Sequence, residues 1–173
     1  MESSRRQFCQ GAAALALGGA AACVPLGAGL AVLLNPLRRQ PGEAEFIRIA
    51  PLDAAPEDNV PRKFTVLAER IDAWNKFPNQ PVGAIYLRRS PDGQIEALNA
   101  ICPHAGGFID YLPAERCFLC PLHKSEFKLD GAIADPKSPA PRPMDTLAVE
   151  VRDGAIWVKF ENFRPGVAQK IPA

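Results

Sequence analysis

The sequence predicts an all-β domain, an antiparallel sandwich or barrel, preceded by one N-terminal transmembrane helix. Three observations carry this reading. The stretch from Gly11 to Leu34 holds 24 residues without a charge, about 36 Å as a helix against a hydrocarbon core of about 30 Å. The 173-residue chain contains 18 prolines and 13 glycines, and no long amphipathic helical repeat follows the apolar stretch, as expected for short strands joined by many turns. Residues 46–173 alternate strand-like runs with turn dipeptides, and their length suits a single domain.

Residues 1–37 read as signal and anchor together. Ser4-Arg5-Arg6-Gln7-Phe8 stands directly before the apolar run and resembles a twin-arginine export signal, a route that carries folded proteins. Pro25 is expected to kink the helix without forbidding it. A cleavage site can be read at Ala20-Ala21-Ala22, and the Cys23 that follows resembles a lipoprotein signal, but a cut there would leave Val24 to Leu34 as an exposed apolar tail. An uncleaved anchor is therefore favoured. Arg5 and Arg6 on one side are balanced by Arg38 and Arg39 on the other, so charge does not set the orientation. The export signal implies a single pass through a bacterial cytoplasmic membrane with the C-terminal domain on the outer, periplasmic face.

Residues 38–45, with Pro41-Gly42 as the obvious flexible point, read as a tether. The domain then spans 46–173. Its strand candidates are Phe46 to Ile49, Lys63 to Leu67, Val82 to Leu87, Ile95 to Ala100, Arg116 to Leu119, Ser125 to Leu129, Leu147 to Val151 and Ala155 to Lys159. Turn signals at Pro91-Asp92-Gly93, Asp130-Gly131 and Asp153-Gly154 separate several of them. Asn75 to Pro81 is expected to be loop.

Composition narrows the function. With 20 basic and 19 acidic residues the formal net charge is +1, and the basic residues are scattered, which speaks against nucleic acid. No nucleophile, paired-carboxylate or phosphate-loop motif stands out. Any chemistry must come from a bound group.

The two histidines indicate which group. Each follows a Cys-Pro pair, in Cys102-Pro103-His104 and Cys120-Pro121-Leu122-His123, with fifteen residues between His104 and Cys120. Two thiolates and two imidazoles suit softer metals, not magnesium or calcium. Zinc and an iron-sulfur cluster both fit that set, and Cys117 with Cys120 even offers a Cys-x-x-Cys pair. Gly106-Gly107 after the first box favours the cluster, because glycines let main-chain N–H groups approach bridging sulfides. Cys117 itself, in a strand-like run, reads as a small buried thiol, and Cys9 and Cys23 fall in the N-terminal segment.

The Cys-x-His and Cys-x-x-His boxes at this spacing resemble the Rieske [2Fe-2S] family. The resemblance implies a base of antiparallel strands with an inserted cluster-binding subdomain, here about residues 101–143. It implies that Cys102 and Cys120 hold an inner iron and His104 and His123 an outer one at an exposed tip. A cluster with two thiolates is neutral when oxidised, so its potential lies at about −150 to +300 mV, against about −400 mV for plant-type ferredoxins. Reduction adds a negative charge and raises the proton affinity of the imidazoles.

Family members of high potential carry a disulfide between the two loops; here those places hold Gly107 and Leu122. They also carry a serine and a tyrosine after the second box; Ser125 keeps the first, and Phe127 replaces the second. With one tuning hydroxyl left, the expected potential is in the middle or lower part of the range, suited to a quinol such as menaquinol. Ser138-Pro139-Ala140-Pro141-Arg142-Pro143 is a stiff loop by composition and resembles the proline loop that covers the cluster. The combination resembles the iron-sulfur subunit of quinol:cytochrome c reductase, with quinol, a cytochrome b-type subunit and a c-type cytochrome as implied partners and one histidine taking the quinol proton. Two rivals share features with it: the Rieske subunit of an exported molybdenum oxidase such as arsenite oxidase, and an oxygenase-type Rieske ferredoxin.

Overall fold

The computed structural model describes residues 5–38, 45–72 and 75–173. The Pro41-Gly42 point of the tether, and Ser4 of the signal, lie outside the described residues. The chain divides into two compact units, Met1–Gly42 and Glu43–Ala173.

The first unit is one helix, α1 (Arg5–Arg38), which runs through Pro25 without a break. Within it Gln7–Asn35 is long and apolar enough to cross a membrane, about 43 Å at the helical rise. Its side chains are exposed all round, with Leu15 at 79% and Val24 at 74%, the surface of a helix that needs apolar surroundings.

The second unit is built from β1 (Phe46–Pro51), β2 (Arg62–Ile71), β3 (Lys76–Arg89), β4 (Ile95–Asn99), β5 (Asp110–Leu112), β6 (Cys117–Cys120), β7 (Ser125–Phe127), β8 (Thr146–Arg152) and β9 (Ala155–Lys159). Six strands form an antiparallel sheet in the order β1-β9-β8-β4-β3-β2, and β5-β6-β7 form a second, smaller sheet. β4 pairs with β8 through Ala97 with Leu147 and Leu98 with Thr146, so everything between Asn99 and Thr146 is an insertion into the base. That is the inserted subdomain.

Strands β3 and β4 are the wall between two cores, and the two-residue period of a strand makes them so. Ile85, Leu87 and Ala97 face a base core with Val66, Leu147, Ile156 and Val158. Tyr86 and Leu98, their neighbours in sequence, face the other way, into a core with Cys102, Ile109, Phe118, Cys120, Phe127, Ala140 and Met144. Both sets are closed: Ile85, Leu87, Ile156, Phe118 and Phe127 have no exposed surface, each worth about 1.5–3 kcal/mol of burial.

Two expectations are corrected. Lys76 to Pro81, expected to be loop, continues β3 and pairs with β2, with Leu67 opposite Pro81 and Ile71 opposite Lys76. Pro78 and Pro81 hid the strand, yet β4 pairs only with Ile85 to Arg89, so among the described residues this part of β3 has a strand on one edge alone, where proline is tolerated. The strand β5, three residues long and without a strong pattern of its own, was not anticipated; its pairing with β6 creates it. The second-box strand also stops at Phe127, short of Leu129.

Candidate metal centre

The first box is a loop closed by its own backbone. At the end of β4, Asn99 is buried at 1% exposure, its Nδ2 donating to the Glu161 carbonyl and its Oδ1 accepting from the Ile101 N–H. The Cys102 N–H donates to the Gly107 carbonyl at 2.7 Å, and the Gly106 N–H donates back to the Cys102 carbonyl at 2.9 Å. Ile101 and Phe108 form an isolated bridge at the loop's base. Cys102 and Pro103 are thereby sunk into the core, while His104 remains half-buried.

The second box is the turn of a hairpin. β6 and β7 pair with Cys120 directly opposite Ser125, and the Lys124 N–H closes the turn onto the Cys120 carbonyl at 2.9 Å. Lys124 takes a left-handed φ of 57° to do so, a conformation uncommon for a side-chain-bearing residue. The register sets the buried Cys120 thiol and the buried Ser125 hydroxyl side by side and leaves His123 on the exposed turn.

The two loops meet. The rings of His104 and His123 stand edge to face with centroids 4.8 Å apart. Cys102 and Cys120 share one core, and burial pushes the Cys102 thiol up from its ordinary value, as does the neighbouring Cys120 sulfur; the His104 backbone N–H and the Ser125 hydroxyl act in the opposite direction, favouring the thiolate. Two polar atoms of the site, His104 Nδ1 and Ser125 Oγ, are buried without a hydrogen-bond partner, although such atoms are nearly always satisfied. Ser125 Oγ is near enough to act on Cys102 but not placed to bond it.

These features fit a dinuclear iron-sulfur group. It would supply partners for the orphaned ring nitrogen and hydroxyl and a reason for two facing thiols. Cys102, His104, Cys120 and His123 could hold the group, with Ser125 beside it.

The flanking positions show how closely the loops approach. A Cβ placed on Gly107 would collide with the Leu122 side chain and lie 3.5 Å from Cys120 Sγ. Leu122 thus lies on Gly107, and Cys102, Cys117 and Cys120 are all free thiols. Phe127, without a hydroxyl, is packed into the core. Ala140 of the proline loop and Met144 just after it enter the same core. Cys117 is buried at the far end of β6, its thiol pushed up by burial and by the charges of Glu126 and Glu115. A cleft beside it, lined by Arg88, Glu115, Arg116 and Lys128, lies about 10 Å along the strand from Cys120, away from the paired histidines. Sequence reasoning missed Gly166, whose N–H bonds the Pro103 carbonyl from the C-terminal segment, and the buried Arg142–Asp145 pair whose guanidinium bonds the Arg164 and Val167 carbonyls of that segment; no local pattern marks contacts between such distant stretches.

Comparison with known proteins agrees with this geometry. The Rieske [2Fe-2S] domain matches residues 49–151. The chain is 25% identical over 158 residues to the menaquinol:cytochrome c reductase iron-sulfur subunit of Geobacillus thermodenitrificans, covering 90% of each. It is 31% identical over 88 residues to the cytochrome b6-f complex iron-sulfur subunit 2 of a Nostoc species, covering 49% of this chain and 48% of that one. The matched stretch is thus nearly the whole of the first relative and about half of the second. Among solved structures, a quaternary ammonium Rieske monooxygenase bound to gamma-butyrobetaine superposes with a TM-score of 0.50 at 22% identity, covering 68% of this chain and 32% of that one, a likeness of fold. With two facing Cys-His loops inserted into an antiparallel base and a family match across most of that base, the chain belongs to the Rieske [2Fe-2S] family.

Proposed function

We propose that this chain is the membrane-anchored iron-sulfur subunit of a quinol:cytochrome c oxidoreductase of the cytochrome bc type. The observation that carries the reading is the likeness to a menaquinol:cytochrome c reductase subunit over 90% of both chains, which takes in the apolar helix as well as the two boxes. The rival oxygenase-type ferredoxin does not account for that helix.

In this reading Cys102, Cys120, His104 and His123 are the ligands, and the bound group supplies a one-electron acceptor at a potential above that of four-cysteine clusters. The chain's own residues do the rest. The buried cysteines, the proline loop and the phenyl ring of Phe127 exclude water on the inner side. His123, on the exposed turn, and His104, half-buried beside it, present the edge at which a quinol hydroxyl can donate a hydrogen bond and pass its proton to an imidazole. Ser125, buried and unpartnered, would donate its hydroxyl proton to a sulfur of the bound group and so favour the reduced state. The helix anchors the domain at a bacterial cytoplasmic membrane with the domain on the outer face, delivered by the twin-arginine signal, where the domain passes electrons from a cytochrome b-type subunit's quinol to a c-type cytochrome.

Low-temperature EPR of the reduced full-length protein, with potential titrated against pH, tests the site. A rhombic signal and a potential that falls as pH rises support it, and a colourless zinc protein overturns it. Co-purification separates the partners: a cytochrome b-type subunit is expected, and a molybdopterin subunit in its place would transfer the chain to the molybdenum-oxidase class.

A further inference from the structure

The two boxes are held by different means. The second is the turn of a hydrogen-bonded hairpin and is fixed by its own ladder. The first lies outside any strand and is closed locally, by the Cys102 and Gly106 N–H bonds within the loop and the isolated bridge between Ile101 and Phe108 at its base. Those bonds shape the loop, but its position against the second box is set from outside it.

The candidate is a segment near the C-terminus that lies across it. The Gly166 N–H donates to the Pro103 carbonyl at 2.8 Å. A Cβ on Gly166 would stand 3.6 Å from the His104 carbonyl oxygen, and one on Gly106 would stand 3.6 Å from Pro165 Cγ. Pro165-Gly166 therefore rests directly on Pro103, His104 and Gly106. Gly166 adopts a φ of 77° to make this turn, a conformation open to glycine without strain.

That segment is held in turn by Arg142 of the proline loop. Its side chain is 6% exposed, as is that of Asp145. Nε donates to Asp145 Oδ1 at 2.9 Å and Nη2 to Oδ2 at 2.8 Å, a forked pair, while Nη1 donates to the carbonyls of Arg164 at 3.1 Å and Val167 at 2.5 Å. All three nitrogens are thus used. Asp145 is itself tied to the base, since its carbonyl accepts from the Asn99 N–H at 2.8 Å. Burying an ion pair gains little stability over apolar side chains of the same volume, because desolvation offsets the attraction. What the planar fork does confer is geometry: it fixes two carbonyls and a carboxylate in one plane, which an ammonium cannot do. The guanidinium is also near enough to the Cys102 sulfur for the two charges to act on each other, so the fork sits beside the loop that it would control.

We propose that Arg142 is a positioning residue for the metal centre: it clamps residues 164–167 onto Pro103 and His104 and so holds the first metal-binding loop in register with the second. The proposal deepens the metal-centre reading and rests on it, but the clamp can be read independently of which metal is bound. The rest of the tail is fastened elsewhere, by Lys170 Nζ donating to the Thr146 carbonyl and by the Ala173 N–H donating to the Asn162 carbonyl, so losing Arg142 frees the stretch over the loop and leaves the terminus attached.

Amide-resolved hydrogen exchange on the full-length protein, with and without its metal group, tests this. Arg142→Ala should speed exchange at Gly166, Gly106 and Cys102 by about tenfold or more and leave Lys124 of the second box unchanged. Arg142→Lys should restore only part of the protection. Should Arg142→Ala fail to fold because Asp145 is left buried and unpaired, Arg142→Met with Asp145→Ala removes both charges and should loosen the first box while keeping the melting temperature of the base. The same variants should release the metal group to a chelator about tenfold faster, and adding Gly166→Ala should give less than the product of the separate effects. First-box exchange unchanged in the paired variant, or both boxes and base loosened alike, would overturn the clamp. A protein that holds zinc but shows the expected amide pattern would sink the cluster reading and leave the clamp standing.

Discussion

The two sides of the β3–β4 wall are both closed to solvent but built from different materials. The base core is aliphatic and aromatic throughout, from Val66, Ile85 and Leu87 to Ile156, Val158 and Phe163. The site core interleaves Tyr86, Phe118 and Phe127 with two thiols and borders a ring nitrogen and a hydroxyl that have no partner. A region that obeys every packing rule specifies the fold, whereas one that leaves buried polar groups unsatisfied is prepared for something it must bind. Stability and function are thereby assigned to opposite faces of the same strands.

Substitutions should pull the two sides apart. The largest effect is expected from Cys102→Ser or Cys120→Ser: complete loss of the metal group in visible absorbance and EPR, with the base still giving a cooperative melt. Leu87→Ala should do the reverse, lowering global stability by about 2–5 kcal/mol in denaturant unfolding while the EPR line shape stays that of the unaltered protein. If Leu87→Ala instead removes the spectrum at temperatures where the chain is folded, the two cores are not separable.

Ser125→Ala is a smaller and sharper probe. It removes one hydrogen bond to a charged group, about 1.5–3 kcal/mol, so the midpoint potential should fall by on the order of 65–130 mV with the centre retained. An unchanged potential would mean that the unpartnered hydroxyl does not face sulfur. The smallest effect belongs to the surface of the base, where hydrogen bonds from Arg62 hold the Asp58 carboxyl at about 2, below its usual 3.8. A depressed carboxyl contributes stability that is present above the unfolded value and lost as pH falls through the folded one. Asp58→Asn should therefore flatten the acid limb of the melting curve between about pH 4 and pH 2 and leave the spectrum untouched. Because the pair is exposed, the change should be slight.

What was legible in the chain follows the range of the forces involved. The ligand candidates could be read because a Cys-Pro pair before each histidine is local chemistry, and most strands could be read because β-branched alternation and Asp-Gly turns act over a few residues. Lys76 to Pro81 could not, since whether a proline breaks a strand depends on which edge is free. Leu122 over Gly107 shows the same limit: the sequence shows no cysteine at either position, and only the meeting of two loops shows that the leucine lies on the glycine.

By itself, the sequence determined the membrane-length helix, the antiparallel β class and the four residues that could carry a Rieske-type group, because period, apolar length and ligand spacing are written along a single stretch of chain. The tertiary structure decided the rest. It sorted neighbouring residues into two cores, left His104 Nδ1 and Ser125 Oγ without partners, and brought the Arg142–Asp145 pair to the C-terminal segment whose Gly166 bonds the first loop. Contacts between residues far apart in sequence exist only once the chain has closed on itself.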